Sequence, residues 1–131
     1  EVEIFSIPCY DICNNTKGWL FMIKVLFICH GNICRSAMAE FMMKDMVAKL
    51  GRAGAFEIAS AAVSREEIGN PVYPPARREL AKHGVACDGH AAWQVTMKDY
   101  HHFDRIYYMD SSNARWHWPV AIQSQIPQAA F

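Results

Sequence analysis

The chain has 131 residues, a size suited to one domain, and 52% of them are apolar, enough for a real core. Its 13 basic and 13 acidic residues cancel, which speaks against general nucleic-acid binding, since that needs a basic excess. No apolar run is long enough to span a bilayer, and Glu1 to Ile7 hold two acids where a secretory signal begins with positive charge, so a cytoplasmic protein with no membrane partner is expected.

In chain order, residues 1–21 mix Pro8, Asn14, Asn15 and Gly18 with isolated apolar residues, and no period holds. They read as an extension whose status the sequence leaves open. Met22 opens a domain predicted over 22–113. Ile23 to Cys29 is nearly continuous apolar sequence, the pattern of a central parallel strand buried on both faces. A loop from His30 to Arg35 follows. A helix is predicted over Ser36 to Leu50, with Gly51 as its stop, and its Met38, Phe41, Met42, Met46, Leu50 stripe reads as core packing. Phe56 to Ser60 reads as a second strand and Pro74 to His83 as a helix closed by Gly84. A short helix capped by Thr96 and a third strand over Phe103 to Met109 complete the pattern. Strand alternating with helix predicts an α/β doubly wound parallel sheet, in which ligands sit at the carboxyl ends of the strands. Cys29, Ser60 and Asp110 fall at or just past those ends. Residues 114–131 contain no acid, and Pro119 and Pro127 break any long helix, so this divergent tail is expected to be poorly ordered.

Five cysteines, Cys9, Cys13, Cys29, Cys34 and Cys87, are an odd number at irregular spacing, which suits free or reactive thiols better than a disulfide framework. Cys9 and Cys13 lack a second ligand pair, and His30, His90, His101, His102 and His117 converge on no metal motif. No metal and no cofactor are expected, and each of those histidines is read as solvated or packing.

The segment after Cys29 carries chemistry. A cysteine ending a buried strand a few residues before a helix allows the loop amides to form an anion nest, and the helix N-terminus adds partial positive charge. Arg35 offers a planar fork for two phosphate oxygens. The same field favours the thiolate of Cys29, an in-line nucleophile for phosphoryl transfer. Gly31 is read as supplying a backbone angle that other residues resist, and Asn32 as tolerating the left-handed region while tying the loop.

The full string VLFICHGNICRSAMAE, residues 25–40, resembles the signature of low-molecular-weight protein tyrosine phosphatases. ASAAVSREEIGNP (59–71), ARRELAKHG (76–84) and YYMDSSN (107–113) extend the likeness in the family's order. The resemblance implies a phosphotyrosine protein phosphatase I-like fold. It implies that Cys29 forms a phosphocysteine, that Arg35 and the loop His30, Gly31, Asn32, Ile33 and Cys34 hold the phosphate, and that Ser36 assists the thiol. It further implies that Ser60 and His83 support Asn32, and that Cys34 can form a protective disulfide with Cys29 under oxidation. The partner would be a phosphate monoester, a phosphotyrosine protein or a small aryl phosphate. Asp110 matches a family position near the loop without a chemical step.

Departures accompany the likeness. The family's last strand, its Asp-Pro general-acid loop and its final helix have no counterpart, because no Asp or Glu follows Asp110. The expectation is a truncated or frame-shifted copy, or a variant that binds phosphate without efficient turnover. Glu66 stands where many members carry an aromatic residue and is read as a solvated loop residue. Two other functions compete. One is a non-catalytic phosphate- or phosphoprotein-binding module. The other is a thiol-coupled arsenate reductase, whose relay needs two downstream cysteines where only Cys87 is present.

Overall fold

The computed structural model of the protein describes residues 22–112. The extension over 1–21 and the tail over 114–131, with Cys9, Cys13 and His117, lie outside the described residues. Strand β1, Ile23–Cys29, is buried from Val25 onward. It is the middle of a parallel sheet of order β2-β1-β3, between β2 (Phe56–Ala62) and β3 (Arg105–Tyr108).

Continuous apolar sequence in β1 is explained by cover on both sides. Leu26 and Ile28 face a cluster with Ala61, Val63 and Val95, against which Trp93, Met97, Tyr100 and Phe103 pack. Val25, Phe27 and Cys29 point the other way, into a cluster with Val47, Ile58 and Met109, covered by Ala39 and Met43. Those last two belong to helix α1, Arg35–Lys49. Helix α2, Pro74–Lys82, packs beside α1 through a third cluster of Ala37, Val72, Ala76, Leu80, Val85 and Cys87. Helix α3, Met97–His102, is started by a capping box in which Thr96 and Asp99 satisfy each other's backbone N–H. On its side of the sheet, burial and then the charge of Tyr100 push the Tyr108 phenol's pKa upward.

Parallel register sets where the site is. Cys29 pairs with Ala62 and Ile28 with Tyr108, so all three strands end at one level. The Met109 N–H donates to the Ile28 carbonyl at 3.0 Å and carries β3 on to Asp110 beside the loop after Cys29.

Three expectations change. Strand β2 runs two residues past Ser60, because Ala62 gives its N–H to the Trp93 carbonyl and accepts from Val95 (2.7 and 2.8 Å). Ser60 is therefore interior to a strand. Strand β3 starts at Arg105, since the Asp104 side chain accepts the Lys24 N–H at 2.9 Å and turns the chain there. The expected stripe of α1 divides: Met38 and Phe41 pack against the cluster shared with α2, but Met42, Met46 and Leu50 are 48%, 61% and 69% exposed. The helix rests on the sheet through Ala39, Met43 and Val47, with Ser36 and Glu40 bonded to Cys29 and Ser60 of the strands.

Adjacent residues on α1 should therefore respond oppositely. Val47→Ala is expected to cost about 1–3 kcal/mol in urea unfolding, and Met46→Ala to stay within about 0.5 kcal/mol. Equal losses would place the helix face wrongly.

Candidate active site

The site is the turn between β1 and α1. Asn32 is its pivot: fully buried, with φ of 59°, it is the non-glycine residue in the left-handed region among those described. Asparagine reaches this region at lower cost than most residues. Gly31 has a different reason from the one expected. It is not among the positive-φ residues, but a Cβ there would lie 3.2 Å from Glu67 Cγ. Its requirement is space, not angle.

The loop's carbonyls are taken up from outside. Cys29 O accepts from Val63 N, His30 O from Ser64 N, and Ile33 O from Tyr73 N, at 3.1, 3.1 and 2.7 Å. Asn32 O faces His90 Nε2 at 2.6 Å, which sets that nitrogen as the donor. A planar trans peptide points its N–H opposite to its C=O. The amides of His30, Gly31, Ile33 and Cys34 are thereby turned away from the surrounding body. The Asn32 N–H points at Cys29 Sγ, 3.3 Å away. Helix α1 opens with no side-chain cap and no acid in its first turn. Its orphan N–H groups and partial positive charge are free for an anion.

A buried chain of hydrogen bonds reaches the sulfur of Cys29. Asn32 Nδ2 gives one hydrogen to Ser36 Oγ (2.9 Å) and the other to Ser60 Oγ (2.8 Å). Its amide orientation is fixed because Trp93 N–H donates to Asn32 Oδ1 at 3.3 Å. Each serine, having accepted, has its own proton to give. Ser60 donates to Glu40 Oε1 at 2.5 Å, and Lys44 holds the other oxygen of Glu40. Ser36 Oγ lies 3.0 Å from Cys29 Sγ, with its own proton available to a sulfur that accepts. The network thus ties Cys29 sulfur through Ser36 and Asn32 to Ser60 and Glu40.

Arg35, first residue of α1, is half exposed, and its NH1 lies 2.8 Å from Asp110 Oδ2. At the mouth, His30 Nε2 meets Glu66 Oε2 at 2.9 Å. Glu66 is exposed, as expected, but it is tied to the loop. Cys34 is a half-buried free thiol packed into the cluster between α1 and α2.

The structure thus brings Cys29, His30, Gly31, Asn32, Ile33, Arg35, Ser36 and Ser60 together. It does not bring His83. That residue caps the end of α2, its ring 72% exposed and 3.7 Å from Glu79. It lines an open groove with Met42 and Met46, away from Asn32. The histidine on Asn32 is His90, which had been read as solvated or packing. The sequence offers no signal for it, because an irregular segment delivers it. Glu40 was also missed, although it had a signal: it lies one turn after Ser36 on the face that meets the sheet. Among the described residues no cluster of potential ligands could hold a metal ion, and no helix is long and apolar enough to cross a membrane.

A family profile described as low molecular weight phosphotyrosine protein phosphatase matches residues 24–126. The chain belongs to that family. It is 44% identical over 92 residues to the low molecular weight protein-tyrosine-phosphatase YfkJ of Bacillus subtilis, covering 70% of this chain and 59% of that protein. It is 41% identical to the Homo sapiens low molecular weight phosphotyrosine protein phosphatase, again over 92 residues, 70% of this chain and 58% of that one. The crystal structure of YfkJ superposes with a TM-score of 0.69 at 43% identity, over 70% of this chain and 58% of that one. The parallel sheet with helices on both faces is the family fold. The chain spans just under three-fifths of the length of these relatives.

Removing one hydroxyl from the chain of donors tests it. Ser60→Ala strands the Glu40 carboxylate and one Asn32 N–H in a buried site, and should cost about 1–3 kcal/mol in urea unfolding. It should also slow alkylation of Cys29 by iodoacetamide. Unchanged alkylation would mean that the network does not reach sulfur.

Proposed function

We propose that this chain is a cysteine-dependent phosphatase of the protein tyrosine type, acting on phosphate monoesters of phosphotyrosine proteins or small aryl phosphates. The observation that supports it best is the placement of Cys29 Sγ on the floor of an amide-lined turn, with Ser36 Oγ at 3.0 Å. Residues 22–113 form the working domain in this reading, between the extension and the divergent tail.

The thiolate attacks phosphorus in line. An S–P bond forms as the ester P–O bond breaks, and the leaving oxygen departs with the electron pair. Loop amides and the Arg35 fork hold the three equatorial oxygens as charge spreads over them. Water then attacks the phosphocysteine, releasing phosphate and the thiolate, which Ser36 receives with its hydroxyl. Leaving oxygens need a proton unless they are weakly basic, and no Asp or Glu follows Asp110 in this sequence. General-acid help is worth about 10²–10⁴-fold. With the groups described here alone, turnover is proposed to be fastest for low-pKa phenols, whose oxygens leave without a proton.

Cys34 is proposed as the redox partner of Cys29, with a peroxide as the two-electron oxidant that converts two thiols into one disulfide. A reducing cytoplasm suits a site that needs a free thiol. No nucleic-acid or membrane partner is part of this reading.

Incubation with an activated aryl phosphate should leave a stoichiometric phosphocysteine on Cys29 and release phenol in a burst, absent in Cys29→Ser. Hydrolysis of a phosphotyrosine peptide should be slower by at least about 10²-fold. Phosphate binding that Arg35→Ala abolishes, without any trapped intermediate, would instead mark a binding module. Arsenate-dependent consumption of protein thiols would point to the reductase.

A further inference from the structure

The phosphate clamp is already occupied. Arg35 NH1 donates to Asp110 Oδ2 at 2.8 Å, and Ser112 Oγ donates to the other oxygen, Oδ1, at 2.5 Å. Both carboxylate oxygens are engaged, so the side chain has a defined aim. The backbone is fixed too: β3 runs in parallel register with β1, and the Met109 N–H is bonded to Ile28 O. Asp110 follows directly, beside the loop that begins at His30. A carboxylate is thus delivered by one strand to the guanidinium that the neighbouring strand-to-helix turn presents to its anion.

We propose that Asp110 is a competitive latch on the phosphate clamp, a positioning residue that holds Arg35 beside the loop and yields it to an entering oxyanion. The inference rests on the phosphate-binding reading of the loop. It assigns Asp110 a role that the likeness to the family left blank.

Magnitudes decide whether such a latch can open. The side chains of Arg35 and Asp110 are 49% and 42% exposed, so water and salt screen the pair. Exposed pairs of this kind hold only weakly. A phosphate dianion offers more charge and two oxygens to the same fork, with the loop amides and the end of α1 behind it. The oxyanion therefore wins, but against a tax. While a carboxylate stays within a few ångströms of the guanidinium, it cancels part of the positive field and repels the dianion. The geometry also has a use: the guanidinium of a long, flexible side chain is kept at the mouth instead of being dispersed in solvent. Asparagine at this position keeps an acceptor for NH1 and removes the charge, so it separates aim from repulsion.

Inorganic phosphate protection of Cys29 from alkylation, measured on the full 131-residue chain, reads this directly. Asp110→Asn should protect at a phosphate concentration about threefold to tenfold lower than the unchanged chain. The rate of alkylation by iodoacetate, an anion, should rise relative to that by neutral iodoacetamide. A merely structural role would slow both reagents and weaken phosphate. Unchanged or weaker protection in Asp110→Asn overturns the latch. So does an unchanged ratio of the two reagents. On the unchanged chain, the carboxyl ¹³C resonance of Asp110 should move in step with phosphate occupancy, and a resonance that stays fixed overturns the proposal without any variant. If phosphate fails to protect Cys29 even in the unchanged chain, the phosphate-site reading falls; if it protects both chains equally, only the latch does.

Discussion

Everything at this site depends on one backbone conformation, the left-handed turn at Asn32. Holding a non-glycine residue there costs on the order of 1 kcal/mol. The surrounding bonds offset it: Ser36 and Ser60 on the side-chain nitrogen, Trp93 N–H on the side-chain oxygen, and His90 on the carbonyl. All are buried or partly buried, where an unmet partner is expensive. The strained turn and the polar core beneath it are thus one unit. Relaxing the turn would release the Asn32 N–H from Cys29 sulfur and leave two serines and a glutamate inside the protein with their bonds broken.

This coupling explains why the interior beside β1 is polar at one end. Ser36, Ser60, Asn32 and Glu40 are all buried, in a molecule whose other buried side chains are mainly apolar. Apolar replacements would pack there, but they would give the sulfur no hydrogen-bond donor. Lys44 answers the charge of Glu40 from one turn further along α1 and reaches partly exposed surface. The ion pair therefore has an outlet to solvent, which lowers the desolvation cost of burying a carboxylate.

The parts legible in the sequence are those governed by local pattern. The apolar run of β1, the loop spacing from Cys29 to Arg35, and the Thr96 cap all depend on neighbours a few residues away. What was misread depends on distant ones. The methionines of α1 have helical spacing, but periodicity gives only which residues share a face, not which face the sheet accepts. Here the sheet accepts the face of Ala39, Met43 and Val47. The His83 and His90 exchange has the same origin. Both follow α2 in sequence, and only the path of the irregular chain to Asn32, 58 residues from His90, shows which arrives.

The groups around the sulfur also divide by origin. Nucleophile, amide cradle, clamp and donor chain come from β1, α1 and β2, and the loop at residues 90–94 closes the underside. All of them lie on the sheet side of the loop, around the sulfur and the amides. Stabilising charge on phosphorus and protonating a leaving group are separate demands, met from opposite sides of an in-line displacement. A fold that places every strand end at one level meets the first with short loops, because each strand end delivers a residue within a few ångströms of the others. The second needs a wall on the far side of the substrate, which sheet register alone cannot supply. An anion site built in this way is accordingly a property of the sheet's edge level, and it is separable in physical terms from the groups that protonate a leaving oxygen.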